Sequence, residues 1–522
     1  MENTVILFAA QLSDFAFEKA FDSKSAFDLV LEWAAKVPDC KNLSVFVSEE
    51  NKDRLEKALS ECAAQIAKSA KIVSKNDWTR GDFAAEVSAV LSKNNSDYGV
   101  ISFADTPFLN TALTNELIET HTKYSAEYTF ADGYPYGVCP EVIDRGAAGI
   151  ISALCTSAQK NVADKPMSRD GLFSIMSGDI NSFEIETVIA DKDYRLLRLE
   201  FESSSKINHL ACKNLYEELG ENKANPGEIN LLELCDTASK LPSVLKTVPA
   251  FYNVQISGKY NHKLCYEPEL SVSADMEFAS FAKVVAQIAE TSKKAVVSLS
   301  CFGEPLLHPK FVEFAKEVLK YDGLSLLIET DGTLLTEQIA CELCETGKNR
   351  IDWIVLLDAM DKTLYSKIHG CEECEFDRAL NSIVLLEKYF EGRVYPQLVR
   401  MKINEPSLES FYRFWKEKEN PSKGQFIIQK YNSFCGLLSD EKSADLSPLD
   451  RNPCWHLRRD MVILADGSVP MCLQCFKNPL GNVFEEGLEA VWAKLNENLQ
   501  NHINKNYSEC CGICDEHYTF NF

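Results

Sequence analysis

Six cysteines lie within about sixty residues at the C-terminal end of the chain: Cys454, Cys472, Cys475, Cys510, Cys511 and Cys514. Thiolates are the soft ligands that zinc and iron–sulfur clusters prefer. A step such as Cys511-Gly512-Ile513-Cys514 directs two thiolates at one metal, and its glycine eases the turn. The pattern predicts a protein-bound metal centre from about Pro453 onward, and we expect an iron–sulfur cluster.

Two other interpretations of these cysteines stay open from spacing alone. Zinc accepts the same tetrahedral set of four thiolates. A reducible disulfide would also bring two cysteines together, although the cytosol keeps such bonds reduced. Most of the other cysteines stand singly in apolar contexts, as at Cys62, Cys155 and Cys212, where we expect small buried side chains.

The composition of the whole chain limits the functions in which this metal centre can take part. The chain has 522 residues, of which 45% are apolar and 25% charged, so it is long enough for two or three folded domains. Its formal charge of −24 disfavours contact with nucleic acid and with anionic lipid. The apolar run at 5–10 is far shorter than a membrane span and has no basic residues ahead of it. We expect a cytoplasmic protein that binds neither nucleic acid nor membrane.

Two blocks of alternating strands and helices precede the cysteines. The first begins with a strand at 5–10, reaches a strand at 98–103 and has the rhythm of a parallel sheet covered by helices. The second block repeats strand–helix units that build a barrel or part of one. Its clearest strands are 252–257, 295–300, 324–329 and 353–357. Polar segments at 221–227 and 439–453 separate the blocks. The sequence predicts an α/β protein of three domains: 1–222, 223–437 and 438–522.

The cysteine-rich end resembles a SPASM domain. The resemblance rests on these segments: Cys454-Trp455-His456, Asp466-Gly467-Ser468-Val469-Pro470-Met471-Cys472, Leu480-Gly481-Asn482-Val483 and the step from Cys511 to Cys514. It implies an auxiliary 4Fe–4S cluster with these ligands: Cys454, Cys472, Cys511 and Cys514. Cys475 and Cys510 are alternates, and Cys435 is a further candidate. We expect the strand 461–464 and the turn 465–468 to form a hairpin ahead of Cys472.

The middle block resembles a radical S-adenosylmethionine barrel. Gly303, Glu304 and Pro305 match the strand-end loop that receives the methionine end of the cofactor in that family. Such enzymes hold their catalytic cluster with a CxxxCxxC loop after the first strand. The matching positions here are Tyr260, Leu264 and Glu267, whose side chains cannot replace three thiolates. We therefore predict no conventional radical chemistry, and S-adenosylmethionine binding is an expectation from the resemblance alone.

The first block resembles nucleotidyltransferases that activate acidic sugars, a family with a Rossmann-like sheet. The resemblance places Asp105 and Glu202 where those enzymes hold a divalent metal, with Lys24 as a phosphate contact. The glycine-rich loop that cradles phosphate is replaced by Gln11-Leu12-Ser13-Asp14-Phe15. We expect a fold that is retained without turnover.

The order of these parts resembles the spirochaete SPASM family over the whole chain. The leading hypothesis is an iron–sulfur protein whose cluster supports folding, electron transfer or docking, with a peptide or protein partner and an electron donor. One alternative is a radical enzyme that anchors its catalytic cluster through displaced cysteines such as Cys265, Cys301 and Cys371. A lower alternative is a nucleotide-sugar nucleotidyltransferase.

Overall fold

The computed structural model describes residues 2–62, 65–268 and 274–519. Contacts between Cα atoms divide the chain into two compact units, Met1–Thr247 and Val248–Phe522. Each unit contains a sheet of seven strands, and the predicted α/β class is confirmed. Among the described residues, no helix combines the length and apolar character needed to cross a bilayer.

The sheet of the first unit is mostly parallel. Its strands are β1 (Asn3–Phe8), β2 (Cys40–Ser48), β3 (Lys71–Lys75), β4 (Tyr98–Phe103), β5 (Tyr128–Asp132), β6 (Glu141–Asp144) and β7 (Ile185–Ile189). Their order is β3-β2-β1-β4-β6-β5-β7. The predicted parallel pairing is confirmed for β1 to β4, whereas β6 runs antiparallel to β4 and β5. Every residue of β1 is buried, as expected for a central strand with parallel neighbours on both sides.

The helices described in the first unit are α1 (Ala26–Ala34), α2 (Lys52–Glu61), α3 (Gln65–Lys68), α4 (Arg80–Asn94), α5 (Thr111–Tyr124), α6 (Arg145–Cys155), α7 (Lys160–Ala163), α8 (Gly171–Met176), α9 (Lys206–Glu218), α10 (Leu231–Lys240) and α11 (Pro242–Leu245). The unit extends to Thr247, beyond the boundary at 222 expected from the polar segment. The reason is that α11 packs against α9, and the Asn214 side-chain amide donates to the Ser243 carbonyl at 2.7 Å.

The second unit is built on a parallel sheet. Its strands are β8 (Phe251–Val254), β9 (Ala295–Ser298), β10 (Leu324–Thr330), β11 (Ile351–Leu356), β12 (Val394–Arg400), β13 (Ile427–Lys430) and β14 (Asp460–Ile463). Their order is β13-β12-β11-β10-β9-β8-β14. The connecting helices are α12 (Phe278–Ser292), α13 (Phe311–Leu319), α14 (Glu337–Gly347), α15 (Lys362–His369), α16 (Cys374–Tyr389) and α17 (Leu408–Lys416). The four strands predicted for the barrel are therefore present and adjacent.

The cysteine-rich end contributes a strand to this same sheet. Its other elements are α18 (Trp455–Arg459), β15 (Ser468–Pro470), β16 (Pro479–Asn482), α19 (Val483–Glu486), α20 (Leu488–Ile503) and α21 (Glu509–Ile513). The predicted hairpin is confirmed at its turn, where the Leu464 amide donates to the Ser468 carbonyl at 2.9 Å, but its first strand β14 also joins β8 in parallel. The antiparallel pair is β15 with β16.

Candidate metal centre and barrel cavity

One small cavity in the second unit is lined by six cysteines: Cys435, Cys454, Cys472, Cys510, Cys511 and Cys514. The structure thus brings together all four first-choice ligands from three separate segments of the chain. The alternate Cys510 lies among them, and the thiol of the alternate Cys475 contacts that of Cys510. The Sγ atoms of Cys435 and Cys510 are 2.6 Å apart.

Local backbone structure directs these thiols into the cavity. Cys454 immediately precedes α18, so the amides of His456 and Leu457 point at its sulfur. Ser508 caps the short helix α21 by accepting the Cys511 amide at 3.3 Å. Beyond the helix end, the Glu516 amide donates to the Cys514 sulfur at 3.4 Å. The amides of His456, Leu457 and Glu516 would favour thiolate over thiol at Cys454 and Cys514.

Two of the first-choice ligands, Cys454 and Cys472, lie in surroundings that disfavour free thiolates. Burial, together with a smaller effect of the neighbouring thiols Cys514 and Cys511, raises the pKa of Cys454 to about 12. Burial also raises the pKa of Cys472 well above its usual range. A bound metal reverses this balance, because its positive charge deprotonates coordinating thiols.

Two unpaired donors beside the thiols show what kind of group the cavity fits. Arg451 donates from Nη2 to the Cys511 carbonyl at 2.7 Å, but its buried Nε finds no acceptor among the described residues. His502 is 4% exposed, lines the same cavity and has no hydrogen-bond partner on either ring nitrogen within the described ranges. Buried donors normally have partners. An iron–sulfur cluster would bring sulfur acceptors next to both residues.

The arrangement also bears on zinc. A zinc ion draws four sulfurs to about 2.3 Å from one centre. A cluster spreads the same four ligands over its separate iron atoms. The donor set and the unpaired N–H groups together fit an iron–sulfur cluster.

A second, larger cavity of about 510 Å³ lies at the carboxyl ends of the parallel strands. All three positions that match the catalytic-cluster motif line it, with the side chains of Tyr260, Leu264 and Glu267. No described residue among Cys265, Cys301 and Cys371 lines this cavity. Cys265 is exposed and Cys301 is buried against Phe302. Cys265, Cys301 and Cys371 therefore do not meet in the barrel cavity.

The loop predicted to receive S-adenosylmethionine is occupied by hydrogen bonds within the protein. Gly303 has φ +113°, and a Cβ there would lie 2.4 Å from the Ser257 carbonyl oxygen. The absence of a side chain at Gly303 therefore lets its backbone approach the backbone of the loop at Ser257. Glu304 accepts from the Leu306 amide, the Thr330 hydroxyl and the Asp331 amide at 2.8–3.0 Å. Gly303 and Glu304 line the cavity, while Pro305 begins a short 3₁₀ turn behind it.

Three carboxyl groups in the barrel cavity are held near one another with raised pKa values. Burial raises the pKa of Glu267 to about 8, and repulsion from Glu329 and Glu304 adds to the shift. Burial followed by repulsion from Asp331 raises the pKa of Glu304 to about 8. Burial likewise raises the pKa of Glu329 to about 7. The cavity wall is therefore partly protonated near neutral pH.

These shifts predict a pH dependence of stability. Because the folded-state pKa values lie above the unfolded value of 4.5, the folded protein binds more protons between those limits. The stabilisation is complete below about pH 4.5 and is lost as the pH rises through 7 to 8. We expect urea unfolding to show a free energy of unfolding for the second unit that decreases from pH 5 to pH 9.

Glu267→Gln should reduce this slope, since one titrating group is removed. The exposed Glu419→Gln is the control and should leave the slope unchanged. An equal slope in wild type and Glu267→Gln would show that Glu267 does not contribute.

The two cavities share a wall. Gln474 and Glu516 line both the barrel cavity and the cysteine cavity. They are 7% and 4% exposed, respectively. Lys430 fixes Glu516 through an ion pair of 2.6 Å. A single layer of side chains therefore separates a ligand-sized space from the candidate metal centre. No motif in the sequence pointed to this position of Gln474.

In the first unit, the structure brings Asp105 and Glu202 together as predicted. Both carboxylates contact Arg169, which the sequence did not single out because it stands in a polar turn outside any motif. The predicted phosphate contact, Lys24, pairs instead with Glu32 at 2.8 Å.

Comparisons with known proteins identify the C-terminal region and the chain's relatives. The SPASM family model, an iron–sulfur cluster-binding domain, matches residues 454–515. An uncharacterised protein of Treponema pallidum (strain Nichols) is 40% identical over 370 residues, which is 67% of this chain and 98% of that protein. All four first-choice cysteines lie inside the matched domain.

Solved structures resemble the chain at low identity. Streptococcus suis SuiB bound to precursor peptide SuiA is 14% identical, with a TM-score of 0.40 over 54% of this chain and 77% of that one. A cytidylyltransferase from Leptospira borgpetersenii is also 14% identical, with a TM-score of 0.38 over 47% of this chain and 98% of that one. The sequence match to the Treponema protein, together with the SPASM domain, shows that the chain belongs to a spirochaete SPASM-domain family.

Proposed function

We propose that this is an iron–sulfur protein with one 4Fe–4S cluster, held by Cys454, Cys472, Cys511 and Cys514. The observation that carries the proposal is the convergence of these four thiols on one cavity inside the matched domain. Cys435, Cys475 and Cys510 then surround the cluster as neighbouring thiols. When bound, such a cluster supplies one-electron transfer and stabilises the segment that holds it.

The barrel acts in this proposal as a binding site for a small ligand or peptide. Its cavity of about 510 Å³ has the size of a small-molecule site, and the floor is apolar, with Leu264, Leu327 and Ile354. The carboxylates Glu267 and Glu329 line it and suit a ligand with a hydrogen-bonding or cationic group. A ligand in the barrel cavity would lie one side-chain layer from the cluster. Reduction of the cluster by an electron donor would then depend on whether the ligand is bound.

The absence of thiols at Tyr260, Leu264 and Glu267 supports a barrel without a catalytic cluster. All three side chains line the cavity where the family motif would hold that cluster. The thiols are therefore missing because of residue type, and not because the loop is turned away from the cavity. S-adenosylmethionine would then find no iron to bind beside Glu304. We place the protein in the cytoplasm, where its thiols stay reduced.

The test is anaerobic reconstitution of the full-length chain, followed by iron and sulfide quantitation and Mössbauer spectroscopy. Truncation before Pro453 is unsuitable because it removes β14 from the parallel sheet. About four irons and four sulfides per chain, all in one cluster, are expected. About eight irons, with formation of 5′-deoxyadenosine on reduction, would instead establish a radical enzyme. Zinc without sulfide would also overturn the proposal.

A further inference from the structure

Two buried carboxylates in the first unit share a single guanidinium. The side chains of Asp105 and Glu202 are 3% and 7% exposed, respectively. Arg169 donates from Nη2 to both oxygens of Asp105, at 2.9 and 2.8 Å. Its Nε lies 2.6 Å from Oε2 of Glu202. The guanidinium therefore lies directly between the two groups.

The surrounding structure fixes this geometry. Asp105 follows β4, Glu202 precedes α9, and the Ser203 amide donates to the Asp105 carbonyl at 2.8 Å, which ties the two segments together. The guanidinium carbon of Arg169 lies 4.5 Å from the ring centre of Phe103 and 5.2 Å from that of Tyr136. Aromatic faces of this kind stabilise a cation and limit its movement.

Three of the four oxygens that a metal would need already accept hydrogen bonds within the protein, and the fourth faces Arg169. Both oxygens of Asp105 accept from Arg169, while Oε1 of Glu202 accepts from Asn208 at 3.1 Å and from Ser204. Oε2 of Glu202 accepts no hydrogen bond from the described residues and is held only by its ion pair with Arg169. Burial raises the pKa of the Glu202 carboxyl, and Arg169 opposes that rise. Without a cation here, two charges would be buried together at high cost. Magnesium and calcium choose carboxylate oxygens for the same electrostatic reason.

We propose that Arg169 occupies the position of a divalent cation between Asp105 and Glu202, and so closes a latent cation site in the first unit. The divalent metal implied by the resemblance to nucleotidyltransferases does not fit the residues present. The Arg169 guanidinium is a permanent cation of the unit itself. It links β4 to the segment before α9 whether or not a metal ion is available. The first unit then cannot carry out metal-dependent nucleotidyl transfer. Its role is structural or that of a binding domain.

The proposal is tested by Mn²⁺ binding to the full-length chain, measured as loss of the free-ion EPR signal. Wild-type protein should show only the weak binding of an acidic surface. Arg169→Ala should gain one Mn²⁺ site at least tenfold tighter than that background. Asp105→Asn in the Arg169→Ala chain should remove the gain. Arg195→Ala is the matched control, because Arg195 also bridges two carboxylates, those of Asp132 and Asp193, but is 59% exposed. It should gain no tight site.

Thermal unfolding keeps the test decisive if Arg169→Ala folds poorly. Mn²⁺ should then restore a cooperative transition to Arg169→Ala, but not to the double variant with Asp105→Asn. Failure of Mn²⁺ to bind or to restore Arg169→Ala would overturn the proposal. A tight wild-type Mn²⁺ site that is lost in Asp105→Asn would overturn it as well, since it would show that the metal displaces Arg169.

Discussion

Cys472→Ser should abolish most of the iron and sulfide that the reconstituted protein binds. Cys472 lines the cysteine cavity together with Cys454, and a serine hydroxyl is a poor replacement for a soft thiolate ligand. We expect iron to fall from about four per chain to below one, with loss of the cluster's visible absorption. Cys454→Ser should behave alike. The measurement is iron and sulfide content after identical anaerobic reconstitution.

Two kinds of control define the ligand set. Cys301→Ala alters a buried cysteine of the same unit that lies outside the cysteine cavity, and it should retain full iron. Cys475→Ser and Cys510→Ser test the alternates and should also retain it. Iron lost in Cys510→Ser but kept in Cys511→Ser would reassign the terminal ligand. Iron kept in Cys472→Ser would contradict the proposed site.

Asp358→Ala should destabilise the second unit by about 3–5 kcal/mol, the usual cost of breaking a buried charged network. Asp358 is fully buried, and its Oδ1 accepts the Val399 amide at 2.6 Å. Its Oδ2 accepts the Tyr266 hydroxyl at 2.7 Å and lies 3.1 Å from Nε2 of His369. Removing the carboxylate leaves all three groups without this partner. Asp358 also has φ +57°, a conformation that alanine disfavours.

Urea unfolding of Asp358→Ala, Asp358→Asn and Asp361→Ala measures this effect. Asparagine tolerates a positive φ and keeps one acceptor, so Asp358→Asn should lose less. Asp361 only caps α15, accepting the Leu364 amide at 2.9 Å, and its removal should cost about 1 kcal/mol. A loss in Asp358→Ala no larger than in Asp361→Ala would show that the buried network does not hold the barrel together.

Strands were predictable where apolar runs are long and regularly spaced. The run at 324–329 corresponds to β10 and that at 353–357 to most of β11, because a central parallel strand must be apolar on both faces. For 461–464 the same reasoning predicted the turn that follows but missed the parallel partner. That run was expected to pair with its neighbour in sequence, and only the position of β8 in space reveals its true partner. Local patterns report burial, whereas pairing across two hundred residues depends on the whole fold.

The candidate site was predictable to a similar degree. Cysteine spacing alone selected the segment that forms the cysteine cavity, because metal ligands must be particular residue types at short intervals. Arg169 and His502 gave no such signal. Each is a single polar residue without a motif, and its role follows from which groups surround it after folding. The partners of a buried charge are determined by tertiary structure, so the residues next to it in the sequence do not predict them.

The wall shared by the two cavities determines how their roles can be separated genetically. Gln474 and Glu516 belong to both, so a defect produced at either residue cannot be assigned to one cavity. Glu267 lines only the barrel cavity, and Cys454 lines only the cysteine cavity. Complementation with alleles of these two residues therefore distinguishes a cell that needs the barrel cavity from one that needs the cysteine cavity.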